Sequence, residues 1–126
     1  MRGVYQSYVR VERMTASDED GVTEFTWRRI TGGWCRVDLL HLHDPGIPVV
    51  VRESAISPER LGTVFLGPEV LKGSRVVPED VIVVEKGPYK GVRLKVEVTP
   101  TAAYLGGGTV LHYECKVREV NPMVAA

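Results

Sequence analysis

The 126-residue chain carries 16 basic and 16 acidic side chains, a formal net charge of zero, which excludes a surface that is basic throughout, as a nucleic-acid platform would be, and leaves room only for a local basic patch. Its hydrophobic share of 44% and charged share of 25% are those of an ordinary globular domain, and the length suits one domain with a real core or two very small barrels sharing an interface. No apolar run reaches the ~18 residues of a membrane span and the first residues lack the apolar core of a signal peptide, so the expectation is a cytoplasmic protein with no membrane partner.

Residues 4–14 place Tyr5, Val9 and Val11 at odd positions, the pattern of a first strand. The acidic segment 15–21 reads as a charged turn. Residues 22–30 alternate again, with Phe25 and Trp27 on one face and Glu24, Thr26 and Arg28 on the other. Thr31-Gly32-Gly33 reads as a tight turn before a third strand over 34–43, where both faces carry apolar residues, as in a strand between layers. Asp44-Pro45-Gly46-Ile47-Pro48 breaks the pattern. A short buried strand is expected over 49–53 and a single helical turn from Ser57, with Pro58 at its first position. Residues 63–66 form a short strand, and 67–73 another helical turn.

Residues 77–98 are the most informative. An apolar run, Val81-Ile82-Val83-Val84, leads to Gly87-Pro88-Tyr89-Lys90-Gly91, after which Val92, Leu94, Val96 and Val98 alternate with Arg93, Lys95 and Glu97. That is a hairpin whose second strand is buried on one face. Residues 100–108 read as a loop, because Gly106-Gly107-Gly108 has neither the following Lys-Ser/Thr nor the helix of a phosphate loop. A last strand runs over 109–120, and 123–126 form a tail. No helical periodicity lasts three turns, and short strands between Gly/Pro turns predict an all-β barrel or sandwich.

The 77–98 stretch resembles a KOW motif, found in NusG-type transcription elongation factors and several ribosomal proteins. The matching parts are Asp80, the run Val81 to Val84, the turn Gly87 to Gly91, and the basic/apolar strand from Val92 to Val98. Leu94 stands where many such motifs carry glycine. The resemblance implies an SH3-like β-barrel in the C-terminal half, about 74–120, with the N-terminal β-meander of about 4–53 packed on it in one domain spanning 1–122. It also implies that the turn touches RNA or protein partners. The segment from Arg60 to Leu71, followed by Pro78 to Val83, is similar to double-psi and swapped-hairpin barrels as well, with Glu79 where those usually have glycine; that would suit a substrate-recognition or adaptor domain.

Three constellations could carry function. Lys86, Lys90, Arg93 and Lys95 bracket Tyr89: the cations suit phosphates and the ring suits base stacking. This makes the chain a non-catalytic binding module, contacting RNA or a ribonucleoprotein of transcription or translation. Of the three histidines, His41 and His43 fall on one face of a strand, a geometry that could hold zinc in a cupin-like, metal-dependent enzyme with His112, Glu114 or Asp44 as third ligand. The solvent-side company of His112 argues against that set, and no cofactor is expected. Cys35 and Cys115 lie in apolar strand patterns, which favours buried thiols over a nucleophile or a disulfide scaffold. A third class is a structural subunit of a larger assembly, for which the apolar faces of 34–43 and the pair Trp27 and Trp34 would supply an interface. Asn121 and Gln6 are the only side-chain amides, a depletion seen in thermophiles.

Overall fold

In a computed structural model of the protein, residues 5–40 and 60–120 are described. They form seven strands: β1 (Ser7–Glu19), β2 (Val22–Leu39), β3 (Leu61–Leu66), β4 (Val81–Lys86), β5 (Arg93–Val96), β6 (Thr101–Tyr104) and β7 (Val110–Glu119). Two short 3-10 turns, Pro68–Leu71 and Gly106–Gly108, complete the order. All pairings are antiparallel, in the order β3-β2-β1-β4-β5-β7-β6, and β3 pairs again with β7 to close the ring. The expected all-β small barrel is therefore the observed fold. Its staves come from both halves of the chain, with β1, β2 and β3 built into the ring beside β4, β5 and β7.

Strand alternation fills the barrel. Val9 and Val11 on β1, Cys35, Val37 and Leu39 on β2, Val64 and Leu66 on β3, Ile82 and Val84 on β4, Leu94 and Val96 on β5, and Cys115 and Val117 on β7 all point inward and are buried. Leu94, at the departure from the KOW pattern, is fully buried in this core. The outward residues of β4, Val81 and Val83, are also buried. Their register partners are Glu12 and Arg10 on one side and Lys95 and Arg93 on the other; the alkyl stems of the three basic side chains cover apolar wall while their heads stay wet.

Several sequence expectations need correction. The segment 15–21 is strand up to Glu19, and the reversal is confined to Asp20-Gly21, both at positive φ (54 and 77), as a two-residue Asp-Gly hairpin turn requires. Thr31-Gly32-Gly33 is not a turn, because β2 runs unbroken through it. A Cβ on Gly32 would lie 2.8 Å from the Val9 carbonyl oxygen, and one on Gly33 would lie 2.8 Å from Val70 Cγ2. These glycines admit close neighbours beside a bulge at Val11/Glu12. β2 ends at Leu39 and buries one face, with Trp34, Arg36, Asp38 and Leu40 outward. The 100–108 loop contains β6, which pairs with β7. Val98 lies past the end of β5 and is exposed. The strand expected over 49–53, the helical turn at Ser57, and the 123–126 tail lie outside the described residues.

Cys35 and Cys115 are free, buried thiols. Burial pushes both from an ordinary 9.0 up to about 12. The folded value lies above the unfolded one, so the associated stability is complete below about pH 9 and is lost as pH rises toward about 12. The expected result is a urea midpoint that falls between about pH 8 and about pH 10, with a flatter fall in the Cys35→Ala/Cys115→Ala variant. An equal fall in both proteins would contradict this. A thiol reagent should label the native protein only on unfolding.

Candidate functional site

β4 pairs with β1 only as far as Glu12, and β3 pairs with β2 only from Cys35 onward. Beyond those limits β1 and β2 continue together, Arg13 opposite Arg28 out to Glu19 opposite Val22. A two-stranded arm of about 23 Å, from seven residues per strand, thus leaves the barrel, with both of its outer edges unpaired among the described residues.

A free two-stranded ribbon is marginal in water, so its root matters. Arg13 donates from Nε and Nη2 to Asp80 Oδ1 and Oδ2, each at 2.9 Å, and from Nη2 to the Arg75 carbonyl oxygen at 2.7 Å. Asp80 is 2% exposed and also accepts from the Val77 amide at 2.9 Å. The hydrogen bond to Asp80 raises the Arg13 guanidinium further above its already high pKa. On β2, Ser74 Oγ donates to the Ile30 carbonyl oxygen and Thr31 Oγ1 to that of Val70. Along the arm, the Thr15 and Thr26 hydroxyls meet at 3.0 Å.

Residues opposite each other in the register share a face. One face of the arm therefore carries Met14 with Trp27 and Ala16 with Phe25. Met14 is 52% exposed, Phe25 65% and Trp27 42%. This row continues toward the barrel into a cleft of about 440 Å³ walled by Met14, Trp27, Val77, Pro78, Val81 and Val120. Glu79 and Lys95, paired at 3.5 Å, stand at its edge. Glu79 holds φ at 79, which is why a glycine would be at ease there. Charge is segregated along the arm. Asp18, Glu19, Asp20 and Glu24 crowd the tip, with no Lys or Arg between Met14 and Trp27. Arg13, Arg28, Arg29 and Arg75 surround the root, and of these only Arg13 has a carboxylate partner among the described residues.

The residues singled out from sequence divide into two groups. Arg93 reaches Glu12 at 3.8 Å and Lys95 reaches Glu79 at 3.5 Å, both half-buried. Tyr89, at φ 67, packs against the core cluster, and the Arg60 guanidinium stacks over its ring at 5.4 Å. Lys86 and Lys90 are exposed. The Lys86 ammonium lies 5.8 Å from the Tyr8 ring, and Lys90 has no ion pair among the described residues. The turn therefore offers two open lysines rather than a four-cation grip around a projecting ring. His41, His43 and Asp44 lie outside the described residues. His112 is on the outer wall, edge-on to Phe65 at 5.2 Å and 3.3 Å from Glu114. Trp34 packs edge-on against Tyr8 at 5.3 Å on the barrel wall, apart from Trp27 on the arm. Sequence reading found the Phe25/Trp27 face but missed Met14 and Ala16 as its other half; the Asp-Gly dipeptide at 20–21 was the available signal.

Among the described residues no helix is long and apolar enough to cross a membrane. No protein-family model matches the sequence, and no curated relative matches it. The solution structure of protein SF1141 from Shigella flexneri 2a, a structural genomics target, superposes with a TM-score of 0.60 at 17% identity, over 95% of this chain and 96% of that one. At that identity the chain is similar to SF1141 in fold alone, a ring of antiparallel strands.

Proposed function

We propose that this protein is a non-catalytic structural subunit or adaptor that docks into a larger protein assembly through the apolar face of its β-ribbon arm. One observation carries the reading: three large apolar side chains, Met14, Phe25 and Trp27, lie side by side and open to solvent. Single exposed apolar residues are ordinary. A contiguous row on a projecting element, continuous with a cleft, marks an interaction surface. The arm's edges, which pair with no other strand among the described residues, add backbone donors and acceptors that a partner strand can satisfy.

A second reading keeps the Lys86 and Lys90 turn as a contact for RNA or a ribonucleoprotein, supported by the exposure of both lysines and by the KOW resemblance. Pull-down from a native extract, with and without nuclease, separates the two. Docking through the arm predicts stoichiometric, nuclease-resistant retention that Phe25→Glu/Trp27→Glu abolishes and Lys86→Glu/Lys90→Glu leaves intact. Nuclease-sensitive retention lost only in the lysine variant would overturn the arm reading.

A further inference from the structure

Resting on the arm as docking element, we infer that one partner is a second copy of this chain, the two arms lying antiparallel with apolar row against apolar row. The arm is complementary to itself when reversed. Its acidic tip, Asp18, Glu19, Asp20 and Glu24, contains no cation, and Arg28 and Arg29 at the root lack a carboxylate among the described residues; of these, Asp18 and Arg29 lie on the apolar face itself, while Glu19, Glu24 and Arg28 lie on the opposite one. An antiparallel pair brings each acidic tip to the other's arginine-bearing root, whereas a parallel pair would bring the two acidic tips together.

The rungs fix the register. A twofold axis perpendicular to the arms, midway between the Met14/Trp27 and Ala16/Phe25 rungs, sets Phe25 over the partner's Trp27 and Met14 over the partner's Ala16, and the reverse. Large meets large on β2, and on β1 the long Met14 meets the small Ala16. Phe25 then enters the mouth of the partner's 440 Å³ cleft, of which Trp27 is a wall. The same axis brings the Asp18/Thr23 rung over the Glu12/Arg29 rung. Asp18 then stands over the partner's Glu12, whose charge Arg10 and Arg93 already offset, and within diagonal reach of the partner's Arg29, the open charge on that rung.

Sedimentation equilibrium and light scattering on the full chain test this. The expected result is a reversible dimer that Phe25→Ala weakens by about tenfold or more, as loss of a central aromatic anchor does. Asp18→Arg and Arg29→Asp should each weaken it alone. An equimolar mixture of those two variants should pair more tightly than either does with itself, because both Asp18–Arg29 contacts become complementary in the mixed dimer. A monomer at all concentrations overturns the inference, as does a dimer indifferent to Phe25 and without rescue in the mixture. A monomer whose Phe25-dependent retention of a different protein persists would overturn self-pairing while leaving arm docking standing.

Discussion

Leu94→Ala is expected to lower the unfolding free energy by about 3–4 kcal/mol, within the range for fully buried leucines. That corresponds to a drop in Tm of roughly 10–15 °C for a domain of this size. Leu94 is 0% exposed and sits on β5, a strand of four residues that joins β4 to the far end of β7. Ile82, its cross-strand neighbour, and Val117 and Val96 share the same packed interior. Cutting back the isobutyl group removes apolar burial and leaves a void that a closed ring collapses poorly, because the strands on both sides are hydrogen-bonded to further staves. The adjacent outward position provides the control. Arg93→Ala loses stem packing over Val83 and a 3.8 Å pair with Glu12, and should cost about 1 kcal/mol or less. Urea unfolding of the two variants checks this; a Leu94→Ala loss no larger than the Arg93→Ala loss would mean that the ring interior is not packed as described.

Arg13→Ala should cost about 3 kcal/mol, the low end for removing one partner of a buried ion pair. The relevant burial is that of Asp80, whose side chain is 2% exposed, and not that of Arg13, which is 37% exposed. Without the guanidinium, Asp80 keeps the Val77 amide as a hydrogen-bond donor, and the Arg75 carbonyl oxygen loses its Arg13 donor. Arg13→Lys restores the charge without the two-pronged contact and should recover part of the loss. The arm should respond locally as well: amides of Thr26 and Arg28 are expected to exchange faster relative to those of Leu94 and Val96. A loss under about 0.5 kcal/mol would assign the pair to the ordinary class of surface ion pairs and leave the arm root unexplained.

Where one face of a strand is buried, the sequence was a good guide. The alternation at Leu94 and Val96 and the apolar run from Val81 to Val84 became core. Even there, charge without partners misled: Arg93 and Lys95 look available in a linear reading, but Glu12 and Glu79 arrive from elsewhere in the chain. The arm was hard to see because both of its faces meet solvent beyond the barrel, so polar residues from Thr15 to Glu19 look like a loop and lack a buried period. Gly32-Gly33 looked like punctuation because the neighbours that need the space, Val9 and Val70, are known only from the folded chain. β6 buries no side chain completely, so its Thr-Ala-Ala-Tyr sequence carries no hydrophobic pattern to detect.

The arm claim is tested most directly by the accessibility of Trp27. Trp34→Phe leaves Trp27 as the only indole while keeping an aromatic ring against Tyr8. In the dilute protein Trp27 should be readily quenched by acrylamide. As the chain is concentrated, and in any complex retained from extract, quenching should fall and the emission should move to the blue. Quenching that stays the same in every associated form would mean that the apolar face of the arm is not where this protein meets its partners.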